Sequence, residues 1–419
     1  MDKTTTWYNK IQFASILLFV VCLAIGWRTG LWATLLFGIV SCGCMVAQGH
    51  LGNKSLHPSM RWGLLAMVLY WLLLLASMFY TSDSTTGWNL LWLKAVMLIF
   101  PLSFLLTDTG YLDANRLRTI GYTLVLAMLA MFFYYCGVGV HKLMDGATLS
   151  VVTGMQFDPR HHAYTAMYLD VALIFIYYEL YTRWNTVPRW CRTLLIAAVP
   201  LLILYVVMVN SRAGVIVLYV VELFAVVHFA VTRRKWWMAA LMAVLLAGFT
   251  LGMEEILPGH DNRLGETLDD LPADGRMNIY KADLDATLHS PLFGYGGGDY
   301  RQILNDQYTI NGFEDYSEHG YNSHNQYFET LLSIGAVGLL VLFMWLLWPL
   351  LQSWFRMRKG EFDRPLFWLI LLFTFTLAAN FMFESMLERQ MGLQFVGAIM
   401  SVMTLVVSLE KNKFGRVEK

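Results

Sequence analysis

The sequence predicts an all-α polytopic integral membrane protein: about 12 transmembrane helices and one long outer loop that contains short helices of its own. The first reason is composition. Hydrophobic residues make up 57% of the chain, charged residues only 14%, and the mean hydropathy is +0.51, which excludes an ordinary soluble domain. The second is length: apolar runs of about 17 to 23 residues recur, enough to cross roughly 30 Å of hydrocarbon as helix. The third is the lack of strand-like alternation. An unpaired backbone group in lipid costs several kcal/mol, so helices are what such runs must form.

In chain order the runs fall near 11–27, 31–49, 63–80, 89–106, 119–137, 163–182, 193–210, 213–231, 236–253, 329–355, 366–383 and 391–409. Met1-Asp2-Lys3 before the first run resembles a secretory leader. No small-residue cleavage site follows, and a second run begins almost at once, so a retained helix is expected. With no repeat and no linker, residues 1–419 read as a single integral domain.

Basic residues orient the bundle. Lys3, Lys10, the Arg183 to Arg192 loop, Arg233-Arg234-Lys235, Arg356 to Lys359 and the Lys411 to Lys419 tail fall on one side. Arg28, Lys142, Arg160, Arg212, Arg276, Arg301 and Arg389 fall on the other, and Lys94 lies inside a run, where a snorkelling lysine is expected. The richer side is expected to be cytoplasmic, with both termini on it. The loop around Arg160-His161-His162, the Ser211-Arg212 turn, the 254–323 loop between helices 9 and 10, and the Glu384 to Gln390 turn then all face outward. The net charge is +0, so no basic excess points to nucleic acid. Cys22, Cys42, Cys44 and Cys136 lie in apolar runs and Cys191 in a basic loop, which implies no disulfide framework.

Within the long loop, Met277, Tyr280, Leu284 and Leu288 recur at helical spacing as far as Pro291. A short amphipathic helix is expected there, lying on the bundle with Arg276 in its first turn. The glycine run Gly294 to Gly298 lacks the Gly-Lys-Ser/Thr ending of a nucleotide loop. Asp283-Leu284-Asp285 has the form of a metal-binding pair, but on a helix its carboxylates point to different faces. No metal is expected.

Three residues carry the chemistry in this reading. Arg212 sits between two apolar runs and keeps its proton, and small Ala213 and Gly214 beside it permit a tight turn and close approach of a ligand. Arg276 supplies a second guanidinium on the same side, and such a pair suits a phosphate or diphosphate. His324 lies in Ser323-His324-Asn325-Gln326, which has the form of a capping box at the start of the tenth run. A helix start attracts anions, so a phosphate and a proton-accepting imidazole can be neighbours there. Secondary candidates for substrate contact are Arg160 and His161, Asn325, and Glu384 with Arg389. Glu384 and Glu388, four residues apart, would share a face if helical.

These residues resemble the O-antigen ligase and polymerase superfamily of bacterial envelope glycosyltransferases. The resemblance rests on Ser211-Arg212-Ala213-Gly214, on Gly275-Arg276 followed by Ser290-Pro291-Leu292-Phe293-Gly294-Tyr295-Gly296, and on His324-Asn325 through Glu329 to Gly335 and Gly338. It implies an inverting, metal-independent GT-C-type enzyme without a cofactor, in the bacterial inner membrane with its site facing the periplasm. Glycan would move from undecaprenyl diphosphate to an acceptor hydroxyl, with Arg212 and Arg276 on the diphosphate and His324 activating the hydroxyl. A lipid A-core saccharide is the expected acceptor. A growing glycan chain or a protein hydroxyl would make the chain a polymerase or a protein O-oligosaccharyltransferase. The reading from another class is a secondary transporter, although no repeated halves are visible.

Overall fold

A computed structural model describes residues 6–147, 158, 160–209, 211–233, 248, 276–290 and 292–408. Among these the chain is helical, and 11 helices are long and apolar enough to cross a membrane. The expected run at 236–253 apart from residue 248, all of residues 254–275, and the Pro291 stop lie outside the described residues. The chain divides into two compact units, residues 1–120 with 271–418, and residues 121–270.

The first unit holds α1 (Trp7–Ile25), α2 (Trp27–Gln48), α3 (Arg61–Ser77), α4 (Ser84–Ala95), α5 (Ile99–Leu106) and the first turns of α6 (Ala114–Met144). After the second unit it resumes with three short helices, α10 (Arg276–His289), α11 (Tyr300–Ile310) and α12 (Glu314–His319). It closes with three long ones, α13 (Gln326–Arg358), α14 (Arg364–Phe383) and α15 (Gln390–Ser408). Helix α13 packs on α3, α14 and α10, while α15 touches α2, α3 and α5. Lipid tails are as apolar as leucine, so close packing rather than water exclusion holds such helices together. Phe37 stacks on Phe100 at 4.6 Å between ring centres, and Tyr70 lies beside the buried Trp345.

Helix α13 is broken one-quarter of the way along. Ile334 (φ −133°, ψ 16°) and Gly335 (φ 68°, ψ −166°) leave the helical region, so carbonyls just before the break lose their partners inside the helix. The glycine-rich loop supplies replacements. Tyr295 N donates to Leu332 O at 2.7 Å and Gly296 N to Ser333 O at 2.9 Å, while Val337 N donates to Leu292 O at 3.2 Å. The loop's other side clasps the end of α3, where Gly297 N donates to Ser77 Oγ (3.0 Å) and Gly298 N to Thr81 Oγ1 (2.9 Å). A Cβ on Gly335 would stand 2.2 Å from Leu292 O, and one on Gly294 (φ 70°) would stand 2.7 Å from Leu332 O. Both positions require glycine, for close approach and for their left-handed backbone.

In α10 the buried residues are Ile279, Ala282, Asp283 and Ala286, while Met277, Leu284 and Leu288 are exposed. The helix exists as expected, and its described part opens with Arg276. The side packed on the protein carries Ile279, Asp283 and two alanines, opposite the exposed Met277, Leu284 and Leu288.

The second unit contains the rest of α6, then α7 (His162–Thr182), α8 (Arg189–Val209) and α9 (Arg212–Arg233). Helix α7 packs against both α8 and α9 and is buried along most of its length. Gly214 lies so close to α7 that a Cβ there would stand 2.3 Å from that of Ala166. Its smallness serves helix packing, where the sequence reading assigned it to ligand approach.

Gly335→Ala should cost about 3 kcal/mol, since the side chain meets backbone in a conformation reserved for glycine. Gly312→Ala, at φ 75° but in open space, should cost only about 1 kcal/mol. Thermal unfolding of the two purified variants in detergent measures the contrast, and equal losses would disprove the clasp.

Candidate functional site

The start of α13, the end of α14, the start of α15 and the first half of α10 meet at one end of the first unit. Asn325 is the N-cap of α13: its side-chain oxygen accepts from Tyr327 N at 2.9 Å and Phe328 N at 3.2 Å. The cap is therefore two residues beyond the Ser323 expected from the sequence. Ser323 Oγ donates instead to Asp283 Oδ1 of α10 at 2.7 Å. Gln326, the other end of the expected box, accepts from Leu387 N at 2.6 Å and ties α13 to the turn before α15. Neither side chain was free to close a capping box, because remote partners hold both.

His324 lies between these two anchors with φ 42°, the single positive φ outside glycine among the described residues. Such a backbone costs of order 1 to 3 kcal/mol and persists only where the surroundings impose it. The ring Nδ1 is 3.5 Å from Oε2 of the buried Glu384, and the imidazole side chain is 31% exposed. A carboxylate at Nδ1 selects the tautomer whose other nitrogen accepts a proton.

Arg276 opens α10, whose next turn is fixed to the same rim. Tyr280 OH donates to Met382 O at 3.0 Å, and its ring lies 5.8 Å from that of Phe328. Among the described residues Arg276 makes no salt bridge. Arg389 is exposed, directly after the Met386–Glu388 turn. Glu384 is extended (φ −154°, ψ 145°) and faces His324, while Glu388 turns inward. The two carboxylates therefore do not share a face, because the segment between them is not an α-helix.

Glu388 joins a buried cluster that sequence reasoning missed. Lys94 Nζ lies 2.6 Å from Glu388 Oε1, with both side chains almost wholly buried, so Lys94 is paired in the interior and does not snorkel. Arg301 donates to Glu388 Oε2, and the Tyr300 hydroxyl lies 2.9 Å from Glu329 Oε1 and 3.1 Å from Glu388 Oε2. Burial pushes the Glu388 carboxyl up, but the Lys94 ammonium, the hydrogen bond with Glu329 and the Arg301 guanidinium outweigh it and hold it ionised. The lone lysine in an apolar run was the available signal, since such a charge needs a partner.

Asp283 is fully buried, and burial pushes its carboxyl up to about 8 against the opposing hydrogen bond from Ser323. It acts as a tether for Ser323.

In the second unit, Ser211 caps α9 by accepting from Gly214 N at 3.3 Å, which puts Arg212 at the first helical position. Arg160 is nearly buried and gripped by Asp158, with Nε 2.9 Å from Oδ1 and 3.0 Å from Oδ2, and it lies over the Tyr135 ring. Its charge is already neutralised. His161 stacks on His162 at 4.7 Å and packs beside Tyr164.

Residues 196–343 match the family model described as O-antigen ligase, which supports the O-antigen ligase and polymerase superfamily and a multi-pass membrane enzyme of that general kind. That segment contains Arg212, Arg276 and His324. No curated protein matches the chain.

Two predictions follow from the buried charges. Lys94→Met leaves the buried Glu388 carboxylate with Arg301 but without the more deeply buried ammonium on Oε1 and should cost about 3 kcal/mol, with Lys94→Met/Glu388→Gln recovering part of that loss in thermal unfolding. Asp283 is raised on folding, so its contribution to stability is complete below the ordinary carboxylate range near 4 and declines as pH rises toward about 8. Asp283→Asn should keep the Ser323 hydrogen bond and flatten the fall of unfolding temperature across that window. An unchanged slope would refute the assignment.

Proposed function

We propose that this multi-pass membrane protein, of the O-antigen ligase and polymerase kind through residues 196–343, is a ligase. It transfers a glycan from undecaprenyl diphosphate to a lipid A-core hydroxyl at the periplasmic face of the inner membrane. The observation that carries the reading is His324, held in a left-handed backbone with Nδ1 on a buried carboxylate and its ring partly exposed. Strain of this sort concentrates where chemistry fixes a side chain.

In the proposed reaction the acceptor oxygen forms a bond to the anomeric carbon as the bond from that carbon to the diphosphate oxygen breaks. The far ring nitrogen of His324 takes the hydroxyl proton, and Glu384 steadies the resulting imidazolium. The diphosphate leaves with the bonding electron pair. Attack opposite the leaving group inverts the anomeric centre. Arg212 and Arg276 offset the charge that develops on the diphosphate, each an electrostatic contribution of about 3 kcal/mol. Guanidinium groups serve here where other transferases use a divalent ion. Arg389, exposed on the same rim as His324, is a further candidate for anionic substrate groups, and His161 is a candidate in the second unit. Arg160 and Asn325 are better explained by their structural partners, Asp158 and the α13 amides.

In transfer assays with purified donor and acceptor, His324→Ala should lower the rate by about 10² to 10⁴-fold. Arg276→Ala and Arg212→Ala should each lower it by about 10²-fold. Activity should survive excess chelator; complete loss, restored by magnesium or manganese, would overturn the mechanism. The acceptor is tested in a deletion strain complemented with wild type or His324→Ala, with surface glycolipids resolved on a gel. Bare lipid A-core beside accumulated polymer supports the ligase. Single-repeat caps would instead mean a polymerase, and intact glycolipid with bare proteins a protein transferase.

A further inference from the structure

Helix α10 has two apolar sides, and packing within the protein accounts for only one. Ile279, Ala282 and Ala286 face inward. Met277, Leu284 and Leu288 stand exposed, Leu288 at 69%. At about 100° per residue, these three lie within roughly 20° of a single line along the helix. Lys281 and Tyr280 border that line. The Lys281 ammonium lies 5.9 Å from the centre of the Phe313 ring, and Tyr280 reaches back to Met382 O.

The stripe does not end with the helix. Leu292 and Phe293 follow it and are also exposed. The Phe293 carbonyl accepts from Tyr80 OH at 2.7 Å, directly after α3, where Phe79 is 95% exposed. Helix α3 is long and apolar enough to cross a membrane, so Phe79 and Tyr80 mark the level at which that span leaves the hydrocarbon. The apolar line of α10 is thus continuous with a surface that already faces lipid. A soluble partner would meet an isolated patch; this one runs into a membrane-spanning surface and is edged by an amphipathic lysine and tyrosine, as in helices that lie in a membrane interface.

We infer that α10 is an interfacial helix, with Met277, Leu284, Leu288, Leu292 and Phe293 immersed in the acyl chains of the leaflet at the His324 end. The bilayer is the occupant of this surface. The helix lies along the membrane plane, and Ala282 and Ala286 on its inner side allow α13 to come close. This inference is independent of the proposed transfer reaction.

The test places an environment-sensitive fluorescent amino acid by codon suppression at position 284, 288, 79 or 318 of the full chain in proteoliposomes. Position 79 is the lipid reference and Glu318, exposed on α12, the water reference. Probes at 284 and 288 should lose most of their fluorescence to lipids spin-labelled near the headgroup and resist aqueous iodide, as at 79, with 318 showing the reverse. Quenching by iodide with none by labelled lipid would overturn the inference. Shielding from both quenchers would also overturn it, because protein would then cover the stripe. Size-exclusion profiles matching the wild type confirm that the labelled chains are folded.

Discussion

Backbone hydrogen bonding in the protein interior governs the first unit. A helix broken where its backbone is buried, as at Ile334 and Gly335, must find new partners for the groups it frees, since each unmet group costs several kcal/mol, roughly. In α13 the break at Ile334 and Gly335 is met by amides of the 292–298 loop, and that loop is held in turn by Ser77 and Thr81 after α3. Asp299 then accepts from Ser82 N at 2.6 Å and Asp83 N at 2.7 Å. One break in one span thus fixes where the loop lies, where α10 ends and α11 starts, and how α3 passes into α4. The glycines are required because backbone meets backbone at distances that no side chain would allow.

Charge burial imposes a second constraint on the same region. Lys94 on α4, Glu329 on α13, Tyr300 and Arg301 on α11 and Glu388 before α15 come from separate stretches of chain, yet their polar atoms lie together. A buried ion pair is a weak source of net stability, but removing one member leaves an uncompensated charge. Its effect is therefore on arrangement: the five residues meet in one way, and the turn between Glu384 and Glu388 is fixed by that meeting.

The spans were legible in the sequence because their signal is local, a matter of length and hydropathy. The existence of α10 was equally legible from spacing. Its orientation was not, since Met277, Leu284 and Leu288 read as a core-facing stripe only if water is the alternative, and at a membrane surface the larger apolar residues can face outward. The Ser323 capping box failed for another reason. Local pattern proposed a partner three residues away, whereas Asp283, 40 residues earlier, provided the better one. Glu384 and Glu388 were placed on one face by assuming helix through a segment that is extended and then tightly turned. Lys94 was read as snorkelling, because nothing local to it reveals that its partner, Glu388, lies in the last quarter of the chain. His324 was legible as a residue type at a helix start; its left-handed backbone was not.

That backbone is explained by its neighbours. Ser323 is held by Asp283 on one side of His324, and Asn325 is held by the amides of Tyr327 and Phe328 on the other. With both flanking residues fixed, the peptide between them must turn through a conformation that a free chain would avoid. The imidazole is brought to Glu384, and Glu384 is itself fixed because Glu388, four residues on, is anchored to Lys94 and Arg301. The ring's position is thus set from two directions by contacts that it does not itself make. The surrounding structure can therefore hold it in place while leaving one face of it open to a reactant.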